Sequence, residues 1–177
     1  MAAIAQSSNC KSDYFDCRRP LNAKPKEILL ECGNGTGSRT FTSASEIPFQ
    51  LANVTIDTTI FCKPIVNIEF SSIVSFQLED IGEDASVQLR YQLFRKCDDG
   101  RPMALGVWEF EISLGIDNTA LQGTESFDFI FCDCMARSGC CDYFVTVTAV
   151  EILEDPESVS VATVENGRIA ALAGEAW

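Results

Sequence analysis

The sequence predicts an all-β fold: a two-sheet antiparallel β-sandwich, jelly-roll-like, with an extended N-terminal arm. From residue 27 onward, apolar and polar residues alternate with a period of two, as is typical of strands with one buried face. About eight such segments follow one another without helical periodicity between them. This arrangement favours two antiparallel sheets packed face to face.

Residues 1–26 predict the arm. The segment is polar, contains two prolines and shows neither helical nor strand periodicity. It carries Cys10 and Cys17, although a segment without a core has nothing of its own for a disulfide to stabilise. Residues 27–177 are predicted to form a single β-sandwich domain.

The predicted strands of the domain follow in chain order. The first two are "EILLEC" and "PFQLANVTID", and the long alternating run "IVNIEFSSIVSFQLED" comes next. "SVQLRYQLFRKC" leads through the Asp-Gly turn of "DDGRP" into "MALGVWEFEISL", which predicts a hairpin. "ESFDFIFC" and "CDYFVTVTAVEIL" continue the pattern. The last strand is expected at about 157–164, followed by a C-terminal tail in which "RIAALAGEAW" forms a short helix or no regular structure.

Composition limits the partners and the compartment. Thirteen basic and twenty-six acidic residues give a formal charge of −13, which disfavours nucleic acid and anionic membranes. No apolar run approaches the roughly 20 residues of a membrane-spanning helix. The N-terminus lacks the features of a signal peptide, whereas nine cysteines indicate an oxidising compartment. We therefore expect a protein without a classical signal peptide that is made inside a cell and is later exposed by lysis.

Strand alternation sorts the cysteines by face, because neighbouring residues of a strand point to opposite sides. Residues in phase with apolar neighbours are expected to point inward, and those out of phase to point outward. Cys62 lies at a strand entry, so its phase leaves its direction open. The candidates for disulfides within the domain are Cys32, Cys62, Cys97 and Cys141, and those for disulfides between subunits are Cys10, Cys17, Cys132, Cys134 and Cys140.

A zinc site is the main alternative for the cysteine cluster. Structural zinc sites favour Cys-x-x-Cys, which is absent here, and in an extended Cys-x-Cys the side chains are separated by about 6.6 Å. The pair can share one ion only if the backbone turns. A thioredoxin-like redox site lacks both its motif and its βαβ context. We predict no metal and no cofactor.

No catalytic residue is predicted, and the protein is not expected to be an enzyme. The chain contains no histidine, so serine and cysteine nucleophiles lose their commonest base. "GNGTG" at 33–37 lacks the lysine and helix start of a phosphate-binding loop. The acidic groups at 79–84 and 97–100 are expected to be solvated loops, with weak calcium binding left open. Trp108 and Trp177 could stack on a sugar, but Trp108 is in phase with core residues.

Three stretches resemble a family of uncharacterised proteins from clostridial spore-formers over about residues 27–152. They are "NVTIDTTIFCKPIVNIEFSSIVSFQLED", the "LRYQLFRKCDDG…LGVWEFE" hairpin and "TESFDFIFCDC…GCCDYFVTVT". More distantly, the inferred fold with its cysteine-bearing arm is similar to endospore-appendage (Ena-type) fibre subunits, jelly rolls whose N-terminal connector docks into preceding subunits and is disulfide-bonded there. This likeness implies that Cys10 and Cys17 are connector thiols with acceptors among Cys132, Cys134, Cys140 and Cys141. Appendage connectors tend to carry adjacent cysteines, which these are not, so the pairing stays open. The likeness also implies an extracellular, spore-surface or cell-surface location, for a protein made in a mother cell and exposed on lysis.

The function expected from the sequence is that of a non-enzymatic structural subunit. It would form a linear or helical filament of identical copies by arm docking, strand addition and intersubunit disulfides. The alternative is a carbohydrate- or metal-binding β-sandwich module, either lectin-like or with a zinc-binding cysteine cluster.

Overall fold

The computed structural model describes residues 27–44, 47–79, 85–114, 120–152 and 159–175. The predicted arm, with Cys10 and Cys17, lies outside these residues, as does Trp177. Within the described ranges the chain forms ten strands and no helix. The strands are β1 (Leu29–Cys32), β2 (Asn34–Gly35), β3 (Arg39–Phe41), β4 (Phe49–Asp57), β5 (Pro64–Glu79), β6 (Ser86–Cys97), β7 (Met103–Ser113), β8 (Ala120–Asp133), β9 (Cys140–Ile152) and β10 (Val159–Glu175).

The strands form two antiparallel sheets packed face to face. The first sheet has the order β1-β10-β5-β8, with β3 also paired to β10, and the second has the order β2-β4-β9-β6-β7. β8 and β7 are thus the last strands of their sheets, and within the described residues each pairs on one side only. The prediction of an all-β antiparallel sandwich is confirmed.

The core lies between the sheets and follows the predicted alternation. In β5 the even-numbered residues from Val66 to Leu78 are buried, and the odd-numbered residues are buried from Val87 to Arg95 in β6 and from Cys141 to Ala149 in β9. Tyr91 and Tyr143 are the largest fully buried side chains. Burial raises the pKa of Tyr91 to about 12, although a hydrogen bond with Ser72 partly opposes the shift.

The C-terminal segment corrects the sequence prediction. The expected strand at 157–164 does not end there, because β10 continues to Glu175 and pairs with β5 along its length. A β-bulge between Glu165 and Arg168 moves burial from even-numbered to odd-numbered residues, which hides the period of two. Gly167 lies in this bulge, where a Cβ would be 2.7 Å from the carbonyl oxygen of Leu51. The segment expected to be a tail or short helix is therefore strand.

Cys32 is a second correction. As a candidate for a disulfide within the domain, in phase with Ile28 and Leu30, it is expected to point inward, but all three residues are exposed. β1 is a four-residue end strand whose contact with the core comes from Leu29. The apolar phase of so short a strand marks its outer face, and Cys32 has a free thiol instead of a disulfide.

Candidate functional site

The candidate site lies at the C-terminal end of β8. Phe127, Phe129 and Phe131 point into the sandwich, whereas Ile130 is 68% exposed and Cys132 is also exposed. The outward direction predicted for Cys132 is thereby confirmed. Asp133, the last residue of β8, returns to the inner face and is buried.

Asp133 is held by hydrogen bonds from the other sheet. Its carboxylate accepts a hydrogen bond from Arg95 Nη1 of β6 at 2.5 Å and one from the Tyr143 hydroxyl of β9 at 2.9 Å. The Arg95 and Asp133 side chains are 8% and 4% exposed. Burial chiefly, and then the negative charge of Asp133, raise the pKa of Tyr143. The end of β8 is thus tied across the core by a buried ion pair.

The same carboxylate fixes the turn that follows β8. Asp133 accepts a hydrogen bond from the backbone N–H of Met135 at 3.1 Å, and Arg95 donates one to the Met135 carbonyl at 3.1 Å. Further along the loop, the Thr58 hydroxyl donates to the carbonyl of Arg137 at 3.0 Å, and the Thr58 N–H donates to that of Gly139 at 2.8 Å. Both ends of the 134–139 loop are therefore anchored.

Cys132 and Cys134, which we call the outer thiol pair, lie on either side of Asp133. Their sulfur atoms are 3.3 Å apart, and both thiols are free and exposed. The wider separation of an extended Cys-x-Cys does not apply here, because the chain turns at Cys134. The hydrogen bond with Cys134, followed by burial and the nearby negative charges, raises the pKa of the Cys132 thiol. Strand alternation predicts that these residues lie on the surface, but it does not predict their contact.

The other cysteines occupy different places. Cys97 and Cys141 form a disulfide between neighbouring residues of β6 and β9, with Cα atoms 4.0 Å apart, as expected for intradomain candidates. Cys62 and Cys140 are also disulfide-bonded. Of the intersubunit candidates that lie within the described residues, Cys132 and Cys134 alone carry free thiols.

Trp108 belongs to the interior of the sandwich. Its ring lies parallel to that of Phe129, with centroids 3.8 Å apart, and meets Phe131 edge-on at 6.1 Å. Gly106 lies against the indole, since a Cβ there would be 2.4 Å from Trp108 Cη2. These aromatic side chains of β7 and β8 thus pack between the two sheets. This agrees with the sequence, in which Trp108 is in phase with core residues.

Two further classes of site are absent from the described residues. In this part of the chain, no three His, Cys, Asp or Glu side chains are grouped so that they could hold a metal ion. No helix there has the length and hydropathy needed to cross a membrane. The outer thiol pair is accordingly the feature with the clearest chemistry.

A family model described as "Domain of unknown function (DUF4489)" matches residues 26–174. The match covers most of the chain, so the chain belongs to this family. This confirms the expected membership of an uncharacterised family. The resemblance to clostridial spore-former proteins and to endospore-appendage subunits stays a prediction.

No curated protein matches the chain significantly. Among solved structures, infectious bursal disease virus (Gx strain) matches with a TM-score of 0.41 and 10% identity, covering 87% of this chain and 36% of that chain. The family 11 carbohydrate-binding module from Clostridium thermocellum has a TM-score of 0.29 and 11% identity, with coverages of 88% and 92%. A xylan-binding domain from Paenibacillus barcinonensis has a TM-score of 0.29 and 9% identity, with coverages of 83% and 96%. The chain thus spans little more than a third of the viral chain, and similarities at this level carry no argument about function.

Proposed function

We propose that this protein is a non-enzymatic structural subunit that assembles with identical copies into an extracellular or spore-surface fibre. The arm of one copy, residues 1–26, docks on the sandwich of the next, and a disulfide between copies closes the joint. The observation that carries the proposal is the pair of free, exposed thiols at the end of β8. Within the described residues, the outer edge of this strand has no partner strand.

The open edge of β8 offers a backbone surface for docking. β8 is 14 residues long and pairs with β5 alone among the described strands. An unpaired edge presents a row of N–H and C=O groups to which an extended segment can add as a further strand. Main-chain hydrogen bonds would supply affinity along the strand. Ile130 and Cys132, exposed near its end, would supply an apolar contact and a covalent bond.

Charge favours the arm as the occupant of this edge. Residues 1–26 contain five basic and two acidic residues, whereas residues 27–177 contain eight basic and twenty-four acidic residues. Two acidic sandwiches repel each other, but a basic arm is attracted to an acidic sandwich. An extended segment of this length reaches at most about 85 Å, enough to cross a neighbouring sandwich and bring Cys10 or Cys17 to the outer thiol pair.

The contact between arm and sandwich joins two different surfaces, so it is head-to-tail. Unless the rotation between copies closes a ring, such contacts continue into a filament. Each joint would bond one arm cysteine to Cys132 or Cys134. Oxidation after the producing cell has lysed would agree with the cysteine content. A covalent joint also suits a fibre that must survive dilution.

Gels with and without reductant, together with negative-stain images, test the proposal. Wild-type protein should give a ladder that collapses on reduction, together with filaments. A C132S/C134S variant and a C10S/C17S variant should both lose the ladder, whereas C32S, which removes the third free thiol of the described residues, should keep it. A wild-type monomer band under oxidising conditions would overturn the proposal. An unchanged ladder in C132S/C134S would overturn the assigned joint.

A further inference from the structure

The outer thiol pair is arranged as a chelating group. Two free thiols with sulfur atoms 3.3 Å apart are exposed to solvent at the end of β8. Cys32, the remaining free thiol of the described residues, lies in β1 at the opposite edge of the first sheet. All three thiols are exposed and free. The outer thiol pair differs from Cys32 because its two sulfur atoms lie close to each other.

The proximity of the sulfur atoms is built into the fold. Asp133, between the two cysteines, points the other way and accepts hydrogen bonds from Arg95, Tyr143 and the backbone of Met135. These contacts hold the turn that brings Cys134 back towards Cys132. A chelating group held in its binding geometry loses little conformational freedom when a ligand binds.

The spacing suits two thiolates that share one ion. With metal–sulfur distances of about 2.3 Å, sulfur atoms 3.3 Å apart subtend an angle of about 90° at the ion. A tetrahedral angle would need a separation of about 3.8 Å, which small side-chain rotations supply. No third His, Cys, Asp or Glu joins the pair among the described residues. The site therefore differs from a closed structural zinc site, which has four protein ligands.

We propose that Cys132 and Cys134 form an open, two-thiolate site for a soft, thiophilic metal or metalloid ion. Thiolates select soft ions over hard ones, and solvent would complete the coordination shell. Binding of a divalent ion releases the two thiol protons and leaves both sulfur atoms at the same oxidation level. The proposal does not depend on fibre assembly. The same two sulfur atoms cannot hold an ion and an intersubunit disulfide at once.

Phenylarsine oxide is a direct probe, because its arsenic binds two neighbouring thiols. Both As–S bonds form as the As=O oxygen leaves as water with the two thiol protons, so no oxidant or reductant is consumed. The full chain, kept reduced at the free thiols, is treated with the reagent and examined by intact mass. Wild-type protein and C32S should each gain one phenylarsenic group, and C132S and C134S should each lose this gain. In a cadmium titration followed by sulfur-to-metal absorbance in the ultraviolet, wild type and C32S should likewise bind the ion, and C132S and C134S should not.

The serine substitutions lie at exposed positions, so circular dichroism should show unchanged folding in all variants. Equal labelling of wild type and C132S, or loss of labelling in C32S, would overturn the assignment. Assembly is read separately, from the oxidised gel ladder. A wild type that forms the ladder but takes up neither arsenic nor cadmium would refute this site and leave the proposed function intact.

Discussion

Replacing Asp133 by Asn tests the buried ion pair that holds the end of β8. The substitution keeps the shape of the side chain but removes the charge that faces Arg95 at 2.5 Å. Because both side chains are more than nine-tenths buried, the guanidinium would stay in the core without a counter-charge. Breaking a buried pair from one side costs about 3–5 kcal/mol of unfolding free energy. We expect D133N to lower the unfolding free energy by about 3 kcal/mol, at the low end of this range, since the Asn oxygen can still accept a hydrogen bond from Tyr143.

The exposed pair Arg90–Glu109 provides the matched control. Its atoms are 3.1 Å apart, its side chains are 44% and 47% exposed, and Arg90 lies on the same strand as Arg95. E109Q should cost less than about 1 kcal/mol. Each variant removes one negative charge from a chain of −13, so the change in overall repulsion is similar. Urea unfolding without reductant, followed by tryptophan fluorescence, gives both values. Costs that agree within about 1 kcal/mol would refute the argument from burial.

Three further predictions concern the sandwich as a whole. Replacing Cys97 and Cys141 by Ala should lower the unfolding free energy by about 4 kcal/mol, because the disulfide closes a loop with a sequence separation of 44; an unchanged urea midpoint would contradict this. Ala171→Asp should lower the unfolding free energy by more than about 3 kcal/mol and Leu172→Asp by less than about 0.5 kcal/mol, because Ala171 is buried in β10 and Leu172 is exposed. Similar losses for the two variants would mean that this segment is not a strand. The pKa of tyrosine is near 10 in the unfolded chain, whereas that of Tyr91 in the folded protein is raised to about 12. Between these pH values the folded state binds more protons than the unfolded state, so stability should fall as pH rises. Urea midpoints from pH 9 to 11.5 should decline less steeply in Y91F.

Much of the fold follows from strand alternation, because most of the long strands bury one face and expose the other. The same rule placed Cys97 and Cys141 inside and Cys132 outside. It failed at Cys32, because a four-residue end strand contacts the core through one residue and its apolar phase carries little information. It also failed in β10, where the bulge between Glu165 and Arg168 reverses the phase.

The candidate site was only half predictable. Asp133 is in phase with Phe127, Phe129 and Phe131, and Arg95 is in phase with the buried residues of β6, so two inward charges of opposite sign could have been found. The contact between Arg95 and Asp133, which are 38 residues apart in the sequence, depends on how the sheets stack, and the period of two does not specify the stacking. The 3.3 Å contact of the thiols occurs at a turn held by that ion pair, so strand alternation could not predict this contact either.

The Cys-Asp-Cys segment presents two thiols to solvent on one face and a hydrogen-bonded carboxylate to the core on the other, and one backbone connects the two faces. Serine at Cys132 or Cys134 changes the chemistry of the surface and leaves the buried hydrogen bonds of Asp133 in place, so it should remove arsenic binding without lowering stability. Asn at Asp133 leaves both thiols present but weakens the contacts that hold the turn, so it should lower stability and chelation together. A D133N protein that is folded and destabilised yet binds phenylarsine oxide as tightly as wild type would show that the core does not position the sulfur atoms. The 3.3 Å contact would then have to come from the local Cys-x-Cys turn alone.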